Sequence, residues 1–373
     1  MGASYSWHSG ARGLTPRWPL TPALLADELF SSWLVRTALA HGCPPLSLTS
    51  AVWPGFRAWS RDLDRGPNQC RLVALAEATG LSAQELLACT LTPAARSLLF
   101  AAEVPPVGVW PWILVLGYRN RAHVGGLQCC PDCISQPVPH YLIQGRLAWH
   151  TACPLHGVQL IDHCPHCLAP LQPELLLPGG TLSRCHRCAK LLGSCPRTPF
   201  SSPALAFQLF ADKSRDRSAA FGRTELSFPE WMLVARVMIG FLQMAAKYCS
   251  AEATRFFRSM DIDASTFRST PMGLPFEYLE PAERAGLLGN VWTIMCAGPE
   301  RFMDLAASAS LPASLLPIPA RGAPKVLLSM KSVLKAHPRT ALDRHSYEHP
   351  RNQRQVLRMW LRLQRRMHRN GVE

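Results

Sequence analysis

Apolar positions recur at helical spacing at both ends of this chain. Between residues 126 and 195 they give way to short runs broken by Cys, Pro and Gly. After Pro22, the residues Leu25, Leu29, Trp33 and Leu34 share one face, with Asp27, Glu28 and Arg36 elsewhere. That spacing predicts a first helix ending at His41-Gly42, before Pro44-Pro45. Leu72 to Cys89 predicts a helix-turn-helix. Ala76 suits a close helix crossing, Gly80 suits the left-handed turn residue, and Ser82 with Glu85 forms a capping box for the second helix. From Ser227 the helical period returns. Ser227 and Glu230 form a second capping box, and Trp231, Val234, Met238, Leu242 and Ala245 line one face. Pro281–Cys296 and Pro299–Ala309 follow as a helical pair, with Phe302, Leu305 and Ala306 inward. Leu311–Pro324, with four prolines, reads as a hinge before Lys325–Ala336. The last element, Arg351–Arg369, sets Val356, Trp360, Leu363 and Met367 on one side.

In the middle the period changes. Trp112 to Tyr118 predicts one strand or a short buried helix. Tyr141–Trp149 alternates as a hairpin strand would, and Leu175–Leu182, with Gly179-Gly180 as its turn, repeats the pattern. Pro196, Pro199 and Pro203 read as a linker. The expected fold is therefore mainly α with a small zinc-ribbon β centre. It comprises an arm (1–20), a helical domain with the helix-turn-helix (21–125), a tandem zinc-ribbon region (126–195), a linker (196–226) and a C-terminal helical domain with a basic terminal helix (227–373).

The zinc assignment comes from four spaced pairs: Cys130-Pro-Asp-Cys133, Cys153-Pro-Leu-His156, Cys164-Pro-His-Cys167 and Cys185-His-Arg-Cys188. Two soft donors separated by two residues reach one ion from a single tight turn, and a tetrahedral Zn²⁺ needs two such pairs. Eight ligands imply two structural ions. Sequential pairing leaves 19 residues (134 to 152) and 17 residues (168 to 184) between knuckles. Interleaved pairing, first with third and second with fourth, uses the same eight residues and remains open on spacing alone. Cys129 and Cys195 read as spare thiols, and His163, His166 and His186 as non-ligands at the surface.

Charge and composition narrow the partners. The 373 residues suffice for two or three cores, and 39 Lys plus Arg against 25 Asp plus Glu give a formal charge of +14, as for a chain that meets nucleic acid. The excess is concentrated in Arg351, Arg354, Arg358, Arg362, Arg365, Arg366 and Arg369, with no acid before Glu373. A solvated helix face mixes both signs, so these seven arginines are candidate contacts for nucleic acid or an acidic partner. The second helix of the helix-turn-helix carries Gln84 and Glu85 and no cation. That favours packing or protein docking over a major-groove contact. No apolar run is long enough to span a membrane, no secretory signal is evident, and seven of 14 cysteines lie in the spaced pairs, which together predict a cytoplasmic protein.

An enzyme is not expected. Four protein donors leave no coordination position for water. A zinc deaminase needs His-x-Glu or Cys-x-Glu before its Pro-Cys-x-x-Cys, and neither occurs. HExxH and GxxxxGK[ST] are absent as well.

The run CPDC…CPLHGVQLIDHCPHC…CHRC resembles the TniQ family of transposition proteins. Leu29 to Arg36, followed by Gly42, is similar to that family's opening helix, and Arg284 to Phe302 is similar to a weaker downstream pattern. The resemblance implies a non-enzymatic adaptor in DNA integration. Such an adaptor links a target-recognition complex to an AAA+ transposition regulator, and in CRISPR-associated transposons that complex is an RNA-guided Cascade on which a homodimer docks. It also implies the eight metal ligands named above. A zinc-containing regulator that reads DNA by itself is the alternative.

Overall fold

The computed structural model describes residues 17–99, 104–105, 108–116, 126–248, 250–266, 275–319, 322–335 and Trp360. The seven arginines from Arg351 to Arg369 lie outside the described residues, as does most of the N-terminal arm. Among the described residues the chain is mainly helical, and its strands are confined to two short hairpins.

The N-terminal helices are α1 (Phe30–Ala40), α2 (Pro45–Val52), α3 (Gln69–Thr79), α4 (Ala83–Ala88) and α5 (Thr92–Leu99). The first helix begins at Phe30 rather than after Pro22, because the preceding backbone is committed elsewhere. Leu29 N–H donates to Tyr141 O at 2.8 Å, and Ile143 N–H donates to Asp27 O at 2.8 Å. An antiparallel bridge thus forms between Glu28 and Leu142. The Pro44-Pro45 pair, expected only as a stop, also starts α2, since a proline at the first helical position lacks only an N–H that would be unpaired there. The segment Leu72–Cys89 forms the two helices α3 and α4 joined by a tight turn. Gly80 is left-handed (φ 77°), and Ser82 and Glu85 cap α4 reciprocally.

The centre departs from the expected strands. Tyr141–Trp149 contains a 3-10 turn, Ile143–Arg146, and contributes only isolated bridges at Leu142 and Leu147. Pro173–Leu175 is another 3-10 turn, and no strand forms across Leu175–Leu182. The one hairpin among the knuckles is β1 (Ala152–Cys153) with β2 (Val158–Gln159), wrapped round the second pair. The residues expected as a linker hold α6 (Ser202–Lys213) and the hairpin β3 (Ala219–Phe221) with β4 (Thr224–Leu226). Ala204, Phe207, Gln208 and Ala211 fall on one helical face and are fully buried, so α6 is core.

The C-terminal helices are α7 (Phe228–Tyr248), α8 (Ala251–Ser259), α9 (Pro281–Ala309) and α10 (Lys325–Ser332). Trp231, Val234, Met238, Leu242 and Ala245 are buried, as the period predicts. Helix α9 is two helices across a kink at Gly298 (φ 84°), where Pro299 interrupts the hydrogen-bond ladder. Gly222, at the tip of the β3–β4 hairpin, sits against that kink; a Cβ there would fall 2.6 Å from Gly298 Cα. Among the described residues no helix is long and apolar enough to cross a membrane.

Aromatic packing ties the centre to the C-terminal helices in one main core, while Phe30, Trp33, Leu34, Trp53, Leu72 and Leu86 form a separate cluster among the N-terminal helices. Trp112 lies 6.1 Å from Trp149, 6.1 Å from Phe207 and 5.5 Å from Phe276, and Phe207 continues to Trp231 at 5.0 Å. Two fully buried arginines fasten the central region on either side. Arg146 pairs with Asp62 at 2.6 Å and Asp64 at 2.8 Å, and Asp64 also accepts from Ser31 N–H at 2.8 Å. Arg284 on α9 donates instead to the carbonyls of Ala148, His150 and Leu279 and to Gln128 Oε1. With no carboxylate in contact among the described residues, it has its pKa held down by burial to about 10.

Candidate metal centres

The first knuckle is fixed by its flanks. Cys129 and Ile161 exchange both backbone hydrogen bonds at 2.9 Å, which aligns the strand entering Cys130 with the chain leaving β2. Ile134 N–H donates to Cys130 O at 3.0 Å, so the chain turns at Asp132 and returns Cys133 to the side of Cys130. On the facing hairpin, Gly157 is left-handed (φ 59°) and its N–H donates to Cys153 O at 2.9 Å, which closes the loop that carries His156.

The other two knuckles repeat this turn with different residues in the demanding position. Leu168 (φ 57°) and Ala189 (φ 58°) are left-handed, and their N–H groups donate to Cys164 O at 2.9 Å and Cys185 O at 3.0 Å. The return strand then pairs back, Cys164 N–H to Ala169 O at 2.8 Å and Cys185 N–H to Lys190 O at 3.0 Å. A non-glycine residue costs about 1 kcal/mol or more in that conformation, so the turn is imposed by what it encloses.

Two groups of donors result: Cys130, Cys133, Cys153 and His156, and Cys164, Cys167, Cys185 and Cys188, with all four atoms of each group within 4.8 Å of one another. The chain gathers them in sequence order, first pair with second and third with fourth. A tetrahedron of thiolates about 2.3 Å from an ion has edges of about 3.8 Å. The sulfur separations are 3.7 Å for Cys133–Cys153, 3.6 Å for Cys164–Cys188 and 3.7 Å for Cys167–Cys185. His156 presents Nδ1, at 3.3 to 3.6 Å from the three sulfurs of its group. The donor sets fit a soft, four-coordinate metal ion, and with every position filled by protein neither leaves room for a water to be activated.

Nearby histidines are engaged otherwise. His163 Nδ1 lies 2.7 Å from Asp162 Oδ1, and His166 Nε2 lies 3.1 Å from Ser194 Oγ. Of the three expected at the surface only His166 is exposed; His163 and His186 are partly buried. The Cys129 thiol is buried outside both groups, and burial pushes its pKa well up.

Side chains that no motif singled out hold the first centre in place. Gln208 of α6 accepts from Thr151 N–H at 3.1 Å and donates to Ala152 O at 3.0 Å, so a core helix grips the strand that carries Cys153. Gln128 donates to His150 O at 2.7 Å. Asp212 lies 3.0 Å from His150 Nε2 and accepts from Trp149 Nε1–H at 3.1 Å, and together with Arg215 these contacts depress its pKa against the opposing effect of burial. The helical spacing of residues 204, 207, 208 and 211 could have exposed Gln208 as a polar group on a buried face.

Helix α4, the second of the expected helix-turn-helix, carries no cation. Gln84 and Glu85 stand exposed on α4, and the Ser82 hydrogen bonds that form the cap lower the pKa of Glu85.

The TniQ family model matches residues 19–160, from the segment before α1 through β2 of the first metal centre. No curated protein matches the chain.

Proposed function

We propose, for a chain that belongs to the TniQ family of transposition proteins through residues 19–160, a non-enzymatic role as a target-selection adaptor. In this reading it joins a target-recognition complex, either an RNA-guided Cascade or another selector, to an AAA+ transposition regulator. The family domain is the observation that carries the reading. Two structural Zn²⁺ ions, one in each donor group, would set how the helices on either side face their partners. The protein would act as a homodimer within an assembly that contains DNA, and the arginines from Arg351 to Arg369 would serve nucleic acid or an acidic partner.

The decisive experiment mixes the purified chain with its cognate AAA+ regulator and its target-recognition complex. An adaptor co-migrates with both, and failure to bind either would sink the reading. The alternative, a zinc-containing regulator reading DNA by itself, predicts one preferred DNA sequence in a gel shift at fixed salt. An adaptor binds DNA weakly or without sequence preference. The cation-free, partly acidic face of α4 favours the adaptor.

A further inference from the structure

Helix α4 carries no basic residue. Three arginines lie instead on the approach to α3 and in its first turn, beside Phe56 in sequence or over its ring. The guanidinium of Arg71, in the first turn of α3, lies 3.6 Å from the centroid of the Phe56 ring, and that of Arg61 lies 5.7 Å from it. Arg57 and Arg61 are exposed, and Arg71 and Phe56 are partly so. The ring is itself fixed: it packs edge-on against Trp53 at 6.0 Å, and Trp53 Nε1–H donates to Arg71 O at 3.0 Å, tying the ledge to the helix.

None of these three arginines has a carboxylate within ion-pair distance among the described residues. The two acids of this segment are already used. Asp62 faces Arg65 and Arg146, and Asp64 faces Arg146. Two cations held over one aromatic ring lose part of their side-chain freedom in advance. The planar guanidinium fork matches a phosphate in a way that a lysine ammonium does not.

The geometry points to a phosphate-backbone contact for nucleic acid at Arg57, Arg61 and Arg71, on the entry end of α3 and away from the second helix of the helix-turn-helix. The site grips the backbone of duplex DNA through charge, and phosphate contacts carry no base sequence directly. This rests on the reading of the chain as part of a DNA-bound assembly, and it assigns that DNA a place on this chain.

The test uses the full chain and a fluorescent 30-base-pair duplex of arbitrary sequence, titrated at several salt concentrations. Arg57→Gln/Arg61→Gln changes only exposed side chains. It is expected to weaken binding at least about tenfold and to lower the slope of log affinity against log salt by about 2, roughly one for each phosphate that is no longer neutralised. Adding Arg71→Gln takes the fall to about 3, with circular dichroism checking that the ledge still folds. An equal change on an unrelated sequence supports a backbone contact. Unchanged affinity and slope in the double variant overturns the proposal. So does a double variant that binds duplex normally but no longer binds a polyglutamate peptide held by the unmodified chain, since the surface then serves an acidic protein. Regulator recruitment, measured separately on the same variants, shows whether the adaptor reading fails independently.

Discussion

The two metal centres sit a few residues apart in sequence and are anchored by opposite kinds of force. Around the first, Cys130 and Cys153 form a small apolar cluster with Val158 and Leu160, separate from the main core. What binds this centre to the rest is polar: Gln208 on the β1 backbone, Gln128 on His150, and Arg284 on Ala148 and His150. Around the second, Cys164 and Cys185 belong to the main apolar core, with Leu171, Leu182 and Leu192 beside them. Polar ties are directional and work only if the backbone is held where they expect it, whereas apolar contacts tolerate small shifts. An ion at the first group would therefore act as a positioning device, and one at the second would be closer to a core residue.

The largest expected effect follows from removing one ligand at each centre. Cys153→Ser should lower metal content by about one ion per chain and unfold the central region, because binding energy at such sites is folding energy. Cys188→Ser should also lose one ion yet keep most of the native helicity. Elemental analysis and far-ultraviolet circular dichroism on both variants measure the difference, and equal loss of helicity in the two would erase the distinction. Next comes Arg284→Met, which leaves three carbonyls and Gln128 without their buried donor. A cost of about 3–5 kcal/mol is expected in urea unfolding, with disturbance spreading to the first centre before the second.

Smaller effects belong to the second centre. Glu174, in the 3-10 turn between its knuckles, has its pKa pushed up to about 7 by burial. A carboxyl whose folded pKa is raised binds protons more tightly in the folded state, so stability falls as pH climbs from about 4.5 through about 7. Glu174→Gln should therefore raise the melting temperature at pH 8 more than at pH 6.5. Equal shifts at the two pH values would mean that the ionised form bears no burial cost. The smallest change is Leu168→Gly. This left-handed residue is 77% exposed, so little packing is lost. Removing its Cβ should stabilise the knuckle by about 1 kcal/mol, read as slower release of one metal ion to a chelator.

The knuckles, the capping box of α4 and the buried stripe of α7 were legible because each is a local rule: a fixed spacing, a cap, a period. Gly80 was legible for a related reason, since a glycine beside a helical period marks where the period must break. The misses are long-range. The start of α1 was lost because Leu29 gives its N–H to Tyr141, more than a hundred positions away in the chain. The expected hairpin at Tyr141–Trp149 dissolved because the alternation reflects packing on both sides of a bridge rather than a strand pair. Helix α6 was hidden behind prolines: Pro203 suited a linker equally well, and the helical spacing from Ala204 to Ala211 was the stronger signal. Arg146 and Arg284 carry no motif, and only the acids and carbonyls that converge on them in three dimensions show why a full charge can stay inside.

The sequence-order pairing of the knuckles also bears on how the chain is made. Synthesis releases residues from the N-terminus onward. A centre built from Cys130, Cys133, Cys153 and His156 is complete as soon as His156 has left the ribosome, and the second needs nothing beyond Cys188. Each loop can close on its own ion in turn, and no reactive thiol pair waits for a distant partner. An ion available during synthesis would therefore be held before the C-terminal helices have emerged.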